Sequence, residues 1–537
     1  DADLVVLIGD ALAGTGEVLS ALGQRRIMVV EAEDAPPGLA PAWAMVARTD
    51  DEIARAVRTM DPLPPQRVAV RAIGDDAAPR ATAIADVVRT TLSDLRVHRN
   101  TIVAFSRTWV EQGAANLPAL ARWPTIAAVG DRFAGVPMII AAPGPSLAKN
   151  VALLRAAKGK ALIAGLSHSL KPLIAAGVVP DLIFTVDPQD VRYHFEGIDL
   201  SQIAACVQGV TVHPKLFELG APAYLTLAAN CALDQWAYAG LGEEAEAGGG
   251  GSVATSALAV ALRWKCDPVM FVGLDLSWTG DRYYVATSCD GGARAEVTED
   301  GTVAVAGWSE DFHAMKRAGG PRPPRERVVE LPGWAGGTVQ TSYIFSLFHR
   351  WFTDVAKRST HVRMWNCTEG GAHIDGMTHL PLADALAQLG DRTIDARAVL
   401  GDVLAATDGP ARAARLRDRT RELLHGLDRA AGLAKRCRRQ AASALTSPQA
   451  MTRLERSERA LAKALAPLGF VSMLAQREIA SASSMAARPA AVAEYLAASL
   501  GLFEAVATTV ATVRPHLAGS LAALTALAEE AQRGNVG

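Results

Sequence analysis

Residues 136–150, VPMIIAAPGPSLAKN, decide the fold of this chain. The apolar run 137–142 is typical of a buried strand in a parallel sheet, and the turn after it leads into helical periodicity over 148–157. A strand, a tight turn and a helix N-terminus form an anion site, because free N–H groups and the positive end of the helix dipole converge there. Ser146 can cap this helix and bond a ligand phosphate, but an ordinary βα turn in which Ser146 only caps the helix is about equally supported.

The composition indicates a multidomain globular protein. A chain of 537 residues is too long for one core, and half of the residues are apolar while the net charge is −2. Such a chain has no strong electrostatic reason to bind nucleic acid or acidic membranes. Six scattered cysteines without metal-ligand spacing predict a reduced, cytoplasmic protein without structural zinc. We find no uninterrupted apolar run that would span a bilayer and predict no transmembrane segment.

Residues 1–125 have the pattern of a Rossmann-like domain. A buried strand over 4–8 is followed by glycines and by a second strand that ends in Glu31, which would hold a ribose in a nucleotide-binding βαβ unit. The glycine spacing is not GxGxxG, so a Rossmann-like scaffold without its own cofactor is favoured. The same region is predicted to continue with a helix over 81–95 and a strand over 101–105.

Strands alternate with helices through the central region, residues 126–384, which indicates a parallel sheet covered on both faces. In such sheets ligands bind at the carboxyl ends of the strands. Polar residues follow five of the predicted strands, and together they predict a single site: Ser146, Asp187, His213, Asn230 and Asp275.

Several of these residues have more than one interpretation. His213 could be a general base near neutral pH or a turn histidine before Pro214. Asp187 and Asp190 could hold Mg²⁺, although Asp-Pro turns after strands are common. Residues 248–252, GGGGS, open a helical segment and form a second candidate anion-binding helix start.

Two further regions have distinct compositions. Residues 281–337 are rich in glycine, proline and charge, which predicts an irregular insertion, either a disordered flap or an active-site lid, in which Tyr283 and Tyr284 are weak candidates for substrate contacts. Residues 385–537 have helical periodicity with breaks at proline and glycine, and Pro515 is expected to kink or split the last helix.

Five motifs occur in the order in which they stand in the motility-associated factor (Maf) family of flagellin glycosyltransferases, and the chain resembles that family over about 240 central residues. They are APGPSL at 142–147, PDLIFTVDP at 180–188, GGSVATSAL at 250–258, VGLDLSWTG at 272–280 and NCTEGGAHIDG at 366–376. The chain departs from the family where GQDLA usually stands, because Leu274 replaces the amide. This departure puts donor or sugar contacts at that position in doubt.

The resemblance implies an α/β protein in three parts: a Rossmann-like domain (1–125), a central sialyltransferase-like catalytic domain (126–384) and an all-helical domain (385–537). It implies transfer of a nonulosonic acid, of pseudaminic or legionaminic type, from a CMP-activated donor to Ser or Thr of flagellin, without a required metal. His213 is the first choice for the base and Asp187 the second.

Two groups of residues are assigned to the donor or the substrate on this basis. The nucleotide and sugar would contact Gly144, Pro145, Ser146, Leu147, Asn230, Gly250, Gly251, Ser252, Asp275, Thr368, Glu369, Gly370 and Gly371. Weaker substrate contacts are expected from Tyr283, Tyr284 and His373.

Two other functions stay open. The central region also resembles the pterin diphosphokinase group, which would use ATP with Mg²⁺ at Asp187 and Asp190. A non-catalytic flagellin-binding protein on a transferase scaffold is the third possibility. The helical residues 385–537 favour a protein acceptor, since a small-molecule kinase has less use for them.

Overall fold

The computed structural model describes residues 4–8, 26–30, 44–60, 65, 67–72, 78–228, 231–244, 248–318, 325–391, 393–444, 448–476, 478–479 and 492–534. The chain divides into two compact units, one formed by residues 1–105 and 474–502 and the other by residues 106–473 and 503–537. The sequence predicted three parts, whereas most of the helical region after residue 385 clusters with the central sheet. The predicted α/β class is confirmed.

The first unit contains a four-stranded parallel sheet in the order β3-β2-β1-β4. Its strands are β1 (Leu4–Ile8), β2 (Arg26–Val30), β3 (Ala44–Ala47) and β4 (Val68–Ala72), and helix α1 covers Asp50–Arg58. β1 is buried along its whole length because all five of its residues are apolar. The predicted glycine turn and Glu31 lie outside the described residues.

The predicted strand over 101–105 is wrong, because these residues lie inside helix α2 (Ala78–Ala115). The segment TIVAF is rich in β-branched residues, but no glycine or proline interrupts the chain between residues 81 and 112. Val103 is 70% exposed, as expected for the outer face of a helix rather than for a buried strand. Helical continuity therefore outweighs the local β propensity.

The second unit is built around an eight-stranded parallel sheet in the order β16-β15-β10-β5-β6-β7-β8-β9. The five strands from the first half of the unit are β5 (Met138–Ala141), β6 (Leu162–Leu166), β7 (Leu182–Thr185), β8 (Ala205–Gly209) and β9 (Tyr224–Leu227). They are joined on the other side of β5 by β10 (Val269–Val272), β15 (Met364–Asn366) and β16 (Thr378–His379). The strand order therefore reverses between β5 and β10, which is the switch point at which ligands bind in open α/β sheets.

Both faces of the central strands are covered. The helices of this part of the chain are α3 (Leu117–Arg122), α4 (Leu147–Asn150), α5 (Leu170–Ala175), α6 (Ala232–Leu241) and α7 (Val253–Arg263). Trp264 is fully buried beside them and donates its Nε1–H to the carbonyl of Ile126 at 2.8 Å, so its ring enters the core with its polar atom satisfied.

The segment after β5 is less regular than predicted. α4 ends at Asn150, and Val151–Ala157 form a 3₁₀ helix instead of a continued α-helix. Asn150 leaves helical geometry at φ −134°, and its side chain donates to the carbonyl of Cys367 at 3.2 Å and to Glu369 Oε1 at 3.0 Å. A long-range contact to the loop after β15 therefore accompanies the end of the helix.

The described residues of the insertion over 281–337 have regular structure, so the prediction of an irregular segment or disordered flap is wrong for them, while an active-site lid stays a prediction. Four antiparallel strands lie there in the order β11-β12-β13-β14: β11 (Arg294–Val297), β12 (Thr302–Ala306), β13 (Glu326–Pro332) and β14 (Thr338–Ser342). Their side chains are mostly half-exposed, and the small apolar cluster under them consists of Trp278, Ala295 and Val303. A sheet with so little core has little hydrophobic signal in the sequence.

Helices dominate the rest of the chain. They are α8 (Glu310–Arg317) in the insertion, then α9 (Tyr343–Arg358), α10 (Leu382–Ala387), α11 (Ala396–Ala405), α12 (Gly409–Ala444), α13 (Pro448–Leu465), α14 (Gly469–Leu474) and α15 (Val492–Gly534). The expected split of the last helix at Pro515 does not occur, because α15 continues through it. The hydrogen bond lost at Pro515 is tolerated in a helix whose Val513 and Leu517 are fully buried.

Helix α15 contains an apolar stretch longer than the sequence analysis predicted for any part of the chain. Residues Ala493–Glu530 are long and apolar enough to cross a membrane by length and composition, with a mean hydropathy of 1.6 in the best window. A buried helix of a globular bundle passes the same test, and two contacts favour that account. Ser520 donates its Oγ–H to the carbonyl of Ala114 at 2.6 Å, and Arg514 pairs with Asp428 of α12 at 2.9 Å.

We predict that Leu517→Ala lowers the free energy of unfolding of the second unit by about 2–5 kcal/mol, because it leaves a cavity at a fully buried position of α15. Urea denaturation in detergent-free buffer measures it. His516→Ala, an exposed neighbour, is the matched control and should change stability by less than about 0.5 kcal/mol. A Leu517→Ala protein as stable as the control would contradict the packing of α15 in the core.

Candidate functional site

The carboxyl ends of β5 and β10 meet at the switch point through Ser146 and Asp275. Ser146 donates its Oγ–H to Asp275 Oδ1 at 2.6 Å, and its backbone N–H lies 3.2 and 3.3 Å from the two carboxylate oxygens. Both side chains are almost completely buried. The donors that the sequence assigned to a ligand phosphate therefore hold an internal carboxylate, and in the described chain Ser146 makes no side-chain hydrogen bond that caps α4.

The loop after β15 closes on the same point. Thr368 Oγ1 accepts the backbone N–H of Leu274 at 3.1 Å, and the carbonyl of Asp275 accepts the N–H of Ala372 at 2.8 Å. Glu369 accepts from the Asn150 side chain at 3.0 Å through its Oε1. The sequence-predicted residues 144–147, Asp275 and 368–371 are thus brought together at three adjacent strand ends.

Close approach of these loops explains the glycines among them. A Cβ on Gly144 would lie 2.1 Å from Asp275 Oδ2, and one on Gly370 would lie 2.2 Å from Ser146 Oγ. Gly371 has φ +70° and would place a Cβ 2.3 Å from the carbonyl of Asp275. The need for glycine here is accounted for by packing between loops. Donor contacts by these residues stay a prediction.

Burial sets the charge state of Asp275. Its removal from water raises its pKa to about 6, while the hydrogen bonds from Ser146 act in the opposite direction. A carboxyl group with this pKa is partly protonated just below neutral pH. The switch point is therefore a pH-sensitive element of the fold.

A cavity of about 520 Å³ lies beside the insertion and has the size of a ligand pocket. Aromatic rings and cations line it together: Tyr283, Tyr284, Trp308, Phe312, Lys316, Arg317 and Arg325. Trp308 and Phe312 stack at 3.9 Å between ring centroids, and Tyr284 stacks on His168 at 4.6 Å. Rings beside several cations can hold a planar base and its phosphate.

The strand end after β7 borders this cavity. Lys316 Nζ donates to Gln189 Oε1 at 2.5 Å, and the Asp187 carboxylate acts electrostatically on Lys316. Burial lowers the pKa of Lys316, and Asp187 opposes that effect. Asp187 accepts the backbone N–H of Gln189 at 2.8 Å. Asp187 thus lies within electrostatic range of Tyr284 and Lys316, which line the cavity, but does not itself line it.

His213 follows β8 and Asp190 lies in the turn after β7, and the Asp190 carboxylate acts electrostatically on His213. Asp190 is held by Arg192 through contacts of 2.6 and 2.7 Å, and the hydrogen bond from Arg192 lowers the pKa of Asp190. Because its charge is already paired, Asp190 is poorly suited to share Mg²⁺ with Asp187. His213 is half-buried, and burial lowers its pKa, which keeps the imidazole neutral and able to accept a proton.

The remaining predicted residues lie elsewhere. Ser252 accepts from the N–H of Thr255 in a capping box at the start of α7, and a Cβ on Gly250 would lie 2.4 Å from Trp351. His373 stacks on His379 at 3.9 Å. Within the described residues none of these lines the 520 Å³ cavity, and neither does Gly251. Asn230 lies outside the described residues.

The cations of the cavity wall and two of its aromatic residues were not predicted from the sequence. The cations are Lys316, Arg317 and Arg325, and the aromatic residues are Trp308 and Phe312. Trp308, Phe312 and Lys316 follow one another at intervals of four residues, and Phe312 and Lys316 lie on α8. That spacing places side chains on one helix face and was readable in the sequence. Arg325 lies outside this helical pattern and had no such signal.

Comparison with known proteins agrees with the fold. The family profile described as 6-hydroxymethylpterin diphosphokinase MptE-like matches residues 111–281. The structure is similar to that of the MAf glycosyltransferase from Magnetospirillum magneticum AMB-1, with a TM-score of 0.55 and 15% sequence identity. The match covers 98% of this chain and 79% of that one. No curated protein sequence matches the chain significantly. The resemblance found from the motifs is confirmed as a likeness of fold.

We predict that Asp275→Asn gains stability relative to wild type as the pH rises. In wild type the folded state raises the pKa from 3.8 to about 6, so Asp275 favours folding below pH 3.8 and loses that contribution as the pH rises to about 6. Since asparagine does not titrate, the difference in unfolding free energy should move on the order of 3 kcal/mol in favour of the variant between about pH 4 and pH 7. Urea denaturation at several pH values measures it, and a constant difference would refute the assignment.

Proposed function

We propose that the chain is a glycosyltransferase that moves a nonulosonic acid from a CMP-activated donor to serine or threonine hydroxyls of flagellin. The observation that carries the proposal is the extent of the structural likeness to a MAf glycosyltransferase, which reaches 98% of the chain. The diphosphokinase-like profile matches only residues 111–281 and leaves the helices after residue 385 without a function. The five ordered motifs support the same choice.

The donor nucleotide is proposed to bind in the cavity beside the insertion. Its aromatic rings supply flat apolar faces for a cytosine base, and Lys316, Arg317 and Arg325 supply positive charge for the phosphate and the sugar carboxylate. Stabilising the charge that develops on the leaving CMP is the main task in this reaction. This placement adds cavity residues to the predicted donor set.

The transfer step needs a base for the acceptor hydroxyl. The hydroxyl oxygen attacks the anomeric carbon through an oxocarbenium-like state, the bond to the phosphate breaks, and CMP leaves with the electron pair. The hydroxyl proton passes to the base. Both His213 and Asp187 stay candidates for this base. His213 is suited to accept a proton because its imidazole is neutral. Asp187 is favoured by its position beside the cavity.

A diphosphokinase is the second candidate, favoured by the profile match over residues 111–281. It would bind ATP with Mg²⁺ and transfer a diphosphate to a small hydroxymethyl compound. The pairing of Asp190 with Arg192 weakens the predicted Mg²⁺ pair. The proposed transferase takes its CMP-sugar without a metal ion at the donor site, acts on flagellin in the cytoplasm, and binds no nucleic acid.

We predict that CMP without Mg²⁺ raises the midpoint of thermal unfolding. A ligand at about 100 times its Kd adds about 2.7 kcal/mol to the free energy of unfolding. Lys316→Met should remove most of this stabilisation, whereas Lys265→Met, which removes an exposed lysine, should keep it. If only ATP with Mg²⁺ raises the midpoint and CMP does not, the diphosphokinase is favoured instead.

A second experiment separates the two candidate bases. Removal of the general base should lower the transfer rate roughly 100- to 10,000-fold while CMP binding persists. Flagellin modification is measured by mass spectrometry with His213→Gln, with Asp187→Asn and with the exposed His361→Gln as the control. If both substitutions leave the rate at the control value, neither residue is the base.

A further inference from the structure

Three side chains of types that bind metal ions lie together beside Tyr284. His168, His194 and Asp290 each offer a ligand atom, and these atoms all lie within 4.8 Å of one another. His168 follows β6, His194 ends a 3₁₀ turn after β7, and Asp290 belongs to the insertion. The cluster therefore joins three segments that are far apart in sequence.

Asp290 is fixed by hydrogen bonds of the kind that orient a metal ligand from its outer shell. It is fully buried, and its Oδ1 accepts the Oγ–H of Ser309 at 2.6 Å and the Ser309 N–H at 3.2 Å. Its Oδ2 accepts from Tyr193 Oη at 3.0 Å and from His168 Nε2 at 2.7 Å. These bonds fix the position of the carboxylate and place hydrogen-bond donors on both of its oxygens.

His194 is the member of the cluster whose polar atoms lack hydrogen-bond partners. It is 1% exposed, and both ring nitrogens are buried without a hydrogen-bond partner among the described residues. A buried polar atom without a partner lowers stability, because it loses its hydrogen bond to water and gains none in the protein. The ring of His194 therefore has a nitrogen lone pair that no hydrogen bond within the described chain uses.

We propose that His168, His194 and Asp290 bind a divalent transition metal ion, with Zn²⁺ as the expected occupant. Two imidazoles and one carboxylate suit Zn²⁺, which takes nitrogen and oxygen ligands at about 2.0–2.2 Å. The ion gives His194 the partner that it lacks. It ties the insertion to the ends of β6 and β7, next to the ring of Tyr284 that lines the cavity.

Binding exchanges a proton for the metal. Zinc takes the place of the hydrogen between His168 Nε2 and Asp290 Oδ2. A neutral His168 moves that proton to its own Nδ1, whereas an imidazolium, which already carries a proton on Nδ1, releases it to solvent. The two atoms then separate from 2.7 Å to roughly 3.4 Å, the spacing of tetrahedral zinc ligands. Zinc binding is independent of the proposed glycosyl transfer, because it is measured without donor or flagellin.

The test uses the full chain without an affinity tag, stripped with EDTA and titrated with ZnCl₂. We expect one equivalent of zinc by elemental analysis and a higher midpoint of thermal unfolding. His194→Phe should lose both the zinc and the shift, yet unfold no earlier than zinc-free wild type because it removes two unpaired buried nitrogens. Ser309→Ala should weaken zinc binding roughly 10- to 100-fold through loss of outer-shell support.

The exposed His425→Ala is the matched control and should keep the zinc-dependent shift. His168→Gln gives a second reading of the site if His194→Phe does not fold. Absence of zinc binding by the wild type would overturn the proposal. Zinc binding that survives both His194→Phe and His168→Gln would overturn it as well, since the ion would then lie elsewhere.

Discussion

The hydrogen bonds between Ser146 and Asp275 are the interaction on which the second unit depends. They join β5 to β10 where the strand order reverses, and each partner comes from a different half of the sheet. Glycines at 144, 370 and 371 let three loops close on this pair, and the loop after β15 bonds to both sides of it. A crevice that usually receives a ligand phosphate is here filled partly by the protein's own carboxylate.

The cavity beside the insertion, rather than the switch point, has the open space that a ligand needs. There the rings and cations of the insertion meet the Asp187 turn, and Lys316 connects the two through Gln189. The insertion is thus part of the wall of the candidate site. The cluster of His168, His194 and Asp290 fastens the same insertion to the sheet, so the two proposals concern one region while resting on different contacts.

How far the sequence predicted the structure depends on burial. Strands such as β5 and β6 were recognised because four or five consecutive apolar residues are buried on both faces. The strands of the insertion were missed because their side chains are mostly half-exposed and give no such run. The strand ends carrying Ser146 and Asp275 were predicted, but their hydrogen bond was not, since it joins residues 129 positions apart and follows from strand order.

The most direct measurement of the central claim is a transfer reaction with purified chain, flagellin and a CMP-activated nonulosonic acid, followed by intact mass spectrometry of flagellin. The account predicts a mass increase of one or more nonulosonic acid residues on serine or threonine, with release of CMP in equal amount. Unchanged flagellin, with a chain that is folded and binds CMP, would contradict it.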